Sequence, residues 1–511
     1  MTPAARRLMP TPRARAHAMR GRLLPRLALT LLALVAGLAA IMAWHTWRIG
    51  QRASQDANVP ARPGAAVNAQ AVAQRLSQAV QQATIWGPKD EHAAAFEALH
   101  QQLQTGFPHA HAALKRQTFG RHALLYTWVG RDPQAQPIAL LAHQDVVPIA
   151  PGTEKDWQQP PFSGAIQDGF VWGRGAWDDK GNVMAIMEAV EMLAQAGFQP
   201  KQTTYLVFGA DEEVGGQDGA LLIAQWLQQQ KVRLRFAMDE GLLITHDMVP
   251  GVRKPVALIG MAEKGYLTLR LSAKAQPGHA SMPPMRSAIG LVGEAVARVE
   301  THQMPAHLSG LPREMFETVA PEVQGLNRWL LSNLWLTEPL VISQLQKAPS
   351  TNAMVRTTTA ATVFQAGERE NVLPGVASAL INFRLLPGDS SAQVQAHVQQ
   401  VLAGLDVQVT HEPQLVEASP VSRSGTPAYR LLARTLRELQ PDVVVAPGLL
   451  VGGTDSRHFA AVSESIFRFS PVHAGPSDLA RFHGTNERIG IDNYVQMIQF
   501  YERLLRNTDQ L

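Results

Sequence analysis

The sequence contains no cysteine. That excludes disulfides, thiol nucleophiles and cysteine-held metals, so any bound metal must be held by His, Asp or Glu. Acidic residues are missing from the first 52 positions, which carry nine arginines and no lysine. Of the 46 Lys and Arg residues this leaves 37, against 42 Asp and Glu, a net charge of −5 beyond the arm. The overall +4 is therefore a property of the N-terminal arm and gives no support to a nucleic-acid partner. Otherwise the composition is that of a globular chain long enough for two or three packed units, 46% hydrophobic and 17% charged, with no internal repeat.

Charge of either sign is also absent from Leu27 to Trp44, 18 residues that follow seven arginines. This is close to the minimum length for crossing a bilayer. The arginine excess places its N-terminal side in the cytoplasm and the rest of the chain outside, periplasmic in a bacterium. The expected layout is a basic arm (1–22), a single-pass membrane anchor (23–47) and a tether (48–67). A cleaved signal competes, since "GLAA" and "IMA" offer small-residue cleavage sites; an uncleaved anchor is favoured.

From residue 68 helical and strand-like runs alternate. "PIALLAHQD", "TTYLVFGAD" and "RLRFAMDEG" read as apolar strands, "NVMAIMEAVEMLAQAG" and "ALLIAQWLQQQ" as helices. This predicts an α/β fold with a mixed sheet covered by helices. Near Ala262 the pattern changes. "YLTLRLSAKA" alternates as a half-wet strand does, and the order of elements to residue 418 reads β-α-β-β-α-β, broken by an irregular stretch around Trp329 and Trp335. The expected units are a first catalytic segment (68–261), an inserted ferredoxin-like α+β lid or dimerisation unit (262–418) and a second catalytic segment (419–511).

Potential ligands gather at strand ends: His143 and Asp145, Asp178 and Asp179, Glu212 and Glu213, Asp239 and Glu240. Ligands of α/β sheets bind beyond the carboxyl ends of strands, and buried carboxylates are costly unless paired or metal-bound. Individually each has an ordinary structural reading. His143 with Asp145 is a common loop pair, Asp179 a turn residue beside glycines, and Glu240 a turn residue before Gly241 or a substitute for Asp239.

Together, "HQDVVP", "PPFSG", "GRGAWDDKGN", "DEEVGG", "MDEG", "PGHASMPP" and "HGTNERI" resemble the co-catalytic di-zinc exopeptidases and amidohydrolases. That family includes carboxypeptidase S, aminoacylase, glutamate carboxypeptidase and succinyl-diaminopimelate desuccinylase, and the nearest likeness is to the carboxypeptidase S branch. The resemblance implies two Zn2+ per subunit, with Co2+ or Mn2+ as substitutes, about 3.5–4 Å apart and needing a shared carboxylate. Asp178 would bridge them, with His143 and Asp239 completing one site and Glu213 and His483 the other. His458 and His473 are rivals for the last position, and "HGTNERI" favours His483. Glu212 would be the general base and Asp145 the partner of the second ring nitrogen of His143. His279 would stabilise the oxyanion, in relatives often across a dimer. Arg384 would bind the substrate carboxylate, the glycine-rich loop with Gly453 would line the pocket, and Asn352 would add an oxyanion or substrate contact. The peptide between Asp178 and Asp179 is cis in relatives. The implied activity is cleavage of the C-terminal amide of short peptides or N-acyl amino acids. A deacylase of other specificity and an inactive membrane-tethered binding protein are the alternatives.

Overall fold

The computed structural model describes residues 12–52, 59–249 and 251–511, with side chains in the first helix described from Leu29 to Gln51. The first eleven residues of the basic arm and residues 53–58 of the expected tether lie outside the described residues.

The larger unit is an eight-stranded mixed sheet. In spatial order its strands are Lys115–Phe119, Ala123–Trp128, Thr204–Gly209, Ile138–His143, Phe236–Thr245, Ile466–Ala474, Val256–Glu263 and Val444–Leu450. The three central strands Thr204–Gly209, Ile138–His143 and Phe236–Thr245 run parallel. They read as near-continuous apolar runs because helices cover both faces. Every residue of "TYLVFG" and "IALLAH" is buried. On one face lie Lys180–Gln195 and Ile491–Thr508, on the other Ala220–Gln229.

The smaller unit is a four-stranded antiparallel sheet ordered Thr358–Gln365, Val376–Leu385, Gly265–Lys274 and Gln408–Val416. Helices Ala288–Thr301 and Ser391–Val401 join it in the order β-α-β-β-α-β. The second helix opens on a reciprocal cap: the Gln393 N–H donates to Ser390 Oγ at 3.3 Å, and the Ser390 N–H donates to Gln393 Oε1 at 2.8 Å. Only Lys264 separates the last residue of Val256–Glu263, in the large sheet, from the first of Gly265–Lys274, in the small one.

Two sequence expectations are corrected. The stretch around Trp329 and Trp335 is not irregular. It forms four short helices, Gly310–Val319, Gly325–Ser332, Leu334–Leu345 and Pro349–Val355. Their periodicity is broken in sequence by Pro312, Gly325 and Pro339, the last inside a helix. The supposed tether is also not free along its length. Its first residues continue the N-terminal helix, Pro12–Arg52. From residue 59 it lies against the large unit, where the Arg62 N–H donates to the Glu438 carbonyl at 2.7 Å. Arg503 and Gln499 side chains donate to the Pro63 and Ala65 carbonyls. Carbonyls of a proline-rich extended segment have no partners of their own and are satisfied here by the helix side chains.

On the strand Ile466–Ala474 Arg468 is fully buried, its Nε 3.0 Å from Glu263 Oε2. Glu263 also accepts the N–H and hydroxyl of Thr454. Removing one partner of a buried pair strands the other charge. Glu263→Ala should therefore lower unfolding free energy by about 3–5 kcal/mol, read as an earlier transition in chemical denaturation.

Candidate metal centre and active site

Each candidate ligand is delivered by a different strand end or loop. His143 is the last residue of Ile138–His143, and its Nδ1 is anchored 2.9 Å from the Asp145 carbonyl. This turns Nε2 toward Asp178, 3.0 Å from Oδ1. The other oxygen of Asp178 lies 2.8 Å from His483 Nε2, and His483 Nε2 lies 3.3 Å from Glu213 Oε1. Thus one buried carboxylate offers an oxygen to each of two histidines 340 positions apart in the chain. Glu240 Oε1 completes the group, 3.6 Å from His143 Nε2.

Asp239, expected as a ligand, faces elsewhere in the structure. Its Oδ2 accepts the Ser456 N–H at 2.7 Å and its Oδ1 the Glu240 N–H at 3.0 Å, so it is turned to the pocket loop. The cause is a bulge. Asp239 pairs with Arg468 and Leu242 with Phe469, leaving Glu240 and Gly241 as extra residues on this strand. A bulge re-aims side chains, and here it brings the Glu240 carboxylate to His143. Gly241 is required because its φ is +142° and a Cβ would meet the Arg468 Cβ at 2.9 Å.

Asp179 lies beside the cluster, but both its oxygens are engaged, by the His143 N–H at 3.2 Å and by Asn182 Nδ2 at 2.5 Å. The Asp178–Asp179 peptide is cis. Asp145 does more than face His143: its two oxygens accept the N–H groups of Glu212 and Glu213 at 3.2 and 3.1 Å, fixing the short turn that carries them. Asp211 turns away and accepts the Asp218 N–H at 2.6 Å.

The electrostatics are those of crowded acids. Burial first, and then the charge of Asp178, pushes the Glu240 carboxyl up to about 8. Burial likewise raises Glu212 and Glu213. His483 is raised to about 10 by its hydrogen bonds to Asp178 and then Glu213. For His143 burial works against the charged form, but Asp145, Asp178 and Glu240 outweigh it and hold its pKa well above the usual range. Excess buried negative charge around two imidazoles is a donor set made for divalent cations. Glu213 Oε1, facing His483 Nε2 at 3.3 Å, belongs to the same set.

Two residues outside the sequence expectations emerge. Glu487 is fully buried. Its Oε1 accepts the N–H groups of Gly175, Trp177 and Asp178, and its Oε2 pairs with Arg174 at 2.6 Å. Arg174 in turn donates to the His483 carbonyl. Glu487 therefore ties the Asp178 loop to the His483 loop; its place in "HGTNERI" was the available signal. Arg457, in the "VGGTDSRHF" loop, packs on Gly453 and brings Nη2 to 4.0 Å from Glu212 Oε1.

The remaining expected site residues stand further out. Arg384 lies over the Tyr266 ring at 4.8 Å, within electrostatic reach of Arg457. Asn352 has a buried Oδ1 without a partner. His279 is exposed on the inserted unit with Nδ1 2.8 Å from Ser281 Oγ, and none of the described hydrogen bonds or ion pairs joins it to the cluster. His458 bonds the Gly215 carbonyl and His473 pairs with His246, so neither joins the cluster.

A set of histidines and carboxylates at strand ends of a mixed α/β sheet defines the class of metal-dependent hydrolases. The chain belongs to peptidase family M20/M25/M40, whose model matches residues 139–507, and within it to the carboxypeptidase S branch. It is 41% identical over 445 residues to probable carboxypeptidase S-like 2 of Dictyostelium discoideum, covering 86% of this chain and 85% of that one. It is 38% identical over 446 residues to the N-fatty-acyl-amino acid synthase/hydrolase PM20D1 of Mus musculus, covering 86% and 88%. Among solved structures, the M20 family metallo-carboxypeptidase Sso-CP2 of Sulfolobus solfataricus aligns with a TM-score of 0.64 at 16% identity, covering 86% of this chain and 99% of that one. Human carnosine dipeptidase 1 aligns at 0.60 and 14%, covering 91% and 99%. Members of the family are metal-dependent, and the chain is a hydrolytic enzyme.

Loss of a residue that orients metal ligands from behind typically costs 10–100-fold in metal affinity. Glu487→Gln should weaken metal binding by about that factor while leaving the far-ultraviolet circular dichroism unchanged, as titration calorimetry on the stripped protein would measure.

Proposed function

We propose that the chain is a two-zinc hydrolase of short peptides or N-acyl amino acids, cleaving the amide next to the C-terminal carboxylate, with its catalytic unit held outside a membrane by the N-terminal helix. The observation that carries this reading is the division of Asp178 between His143 and His483. Asp178 would be the shared ligand, with His143 and Glu240 on one side and Glu213 and His483 on the other. When bound, two divalent zinc ions supply Lewis-acid polarisation of the scissile carbonyl and a lowered pKa for water.

The chain's own residues supply the rest. Glu212 accepts a proton from the attacking water and returns it to the leaving nitrogen. Arg457 orients that carboxylate from 4.0 Å. Asp145 holds the Glu212–Glu213 turn and the His143 ring in register. Arg384 offers a guanidinium for the substrate carboxylate, a suitable bidentate partner, and Asn352 and the Gly453 loop would supply further substrate contacts. His279 would reach the oxyanion only by movement of the inserted unit or from a second copy of the chain.

The substrate class follows from the relatives, one called a carboxypeptidase S-like protein and another an N-fatty-acyl-amino acid synthase/hydrolase. Support for the anchor is the helix Leu29–Gln51, long and apolar enough to cross a membrane.

Removing a positioned general base costs about 10²–10⁴ in rate. Glu212→Gln should lose that much kcat on a panel of dipeptides and fatty-acyl amino acids while keeping its metal. Hydrolysis at the wild-type rate would contradict the mechanism, and hydrolysis of neither substrate class by the zinc-loaded wild type would contradict the specificity.

A further inference from the structure

The N-terminal helix does not leave the body of the protein at its end. Met42, Thr46 and Gly50, spaced four apart on one face, lie against the helix Gly325–Ser332 and the turn after it. Asn333 Nδ2 lies 3.1 Å from Thr46 Oγ, Gly50 leaves room for the Arg328 guanidinium, and the His45 ring lies 6.5 Å from that of Trp335. Met42 is buried, whereas the described side chains before it, Leu29 to Ile41, stand exposed.

Length makes this contact informative. The charge-free run between Arg26 and Arg48 is 21 residues, about 32 Å of helix at 1.5 Å per residue. That matches a hydrocarbon core of about 30 Å. Stopping at Ile41, where the protein begins to cover the helix, would leave 15 residues, or about 22 Å, too short to span. Residues 42–47 are therefore needed inside the bilayer or its outer interface. Trp44, Trp47 and Arg48 suit that outer boundary, the Arg48 guanidinium lying 4.8 Å above the Trp44 ring.

Whatever packs on residues 42–46 shares their depth. The helices Gly325–Ser332 and Leu334–Leu345 do so, and they expose Leu326, Trp329, Trp335, Leu336 and Leu340, the last with 59% of its surface free. Between Leu326 and Leu345 there are only two charges. Arg328 lies against Gly50, and Glu338 is paired with Arg313 at 2.6 Å. An exposed apolar patch of this kind marks a protein or membrane contact, and its continuity with the spanning helix selects the membrane.

We infer that the helices Gly325–Leu345 of the inserted unit are seated in the outer leaflet beside the N-terminal span, so that the inserted unit rests on the bilayer surface at a second point. The inference rests on the anchor proposed above. It gives the four-helix excursion a role separate from the metal cluster, and it holds the inserted unit where an acyl chain can pass from lipid toward the protein.

The absence of cysteine makes the test clean. Single-cysteine variants of the full chain, Leu34→Cys, Leu340→Cys and Phe364→Cys, carry an environment-sensitive fluorophore in vesicles of phosphatidylcholine with a fraction of acyl-chain spin-labelled lipid. The expected result is a loss of fluorescence at position 340 approaching that at 34, with none at 364, an exposed aromatic position on the small sheet. Quenching at 34 without quenching at 340 overturns the inference and leaves the anchor standing. Quenching at neither overturns both. A label at 340 that is shielded from an aqueous quencher and also untouched by the spin-labelled lipid identifies a second copy of the chain as the partner, and likewise overturns it.

Discussion

The arrangement of the larger unit depends on one carboxylate facing two ways. Asp178 offers its oxygens to His143 and His483, so the end of an early strand and a loop near the C-terminus must meet at one point. Much of the buried polar structure serves that meeting. Glu487 gathers the N–H groups leading into Asp178 and, through Arg174, reaches the carbonyl of His483. Asn182 and the His143 N–H occupy Asp179, leaving Asp178 as the acid of the pair that faces both imidazoles. Acids packed this closely would repel one another in a low dielectric. The upward shift of Glu240 and the pairing of both imidazoles with carboxylates are two faces of the same demand for positive charge.

Three adjacent acids at the end of a central strand show how the chain divides labour. Asp211 caps a turn through the Asp218 N–H, Glu212 faces Arg457, and Glu213 faces His483. The turn holding the last two is fixed by Asp145 from another strand end. Three charges that look redundant in sequence therefore have three different surroundings.

The apolar strands, the switch from a parallel-type to an antiparallel-type pattern near Ala262 and the clustering of ligands at strand ends were legible because each follows from periodicity or from strand chemistry. That Glu240 rather than Asp239 faces His143 was not. Both are acids on one strand, and only a bulge opposite Arg468 and Phe469 decides which faces His143. Bulges depend on the neighbouring strand, which local sequence does not describe. The helices from Gly310 to Val355 were hidden by their own breaks at Pro312, Gly325 and Pro339, and are held by packing on one another and on the N-terminal helix. Glu487 was hidden because a glutamate four residues after a candidate ligand histidine carries no local sign of burial until the loop it organises is seen.

The most direct test of a shared Asp178 is the metal content of purified protein by inductively coupled plasma mass spectrometry. The account predicts two equivalents of metal for the wild type and for Asp239→Ala, and about half that for Glu213→Ala and for Glu240→Ala, since each of these two removes a ligand from one side only. Full occupancy in Glu240→Ala together with loss in Asp239→Ala would contradict it.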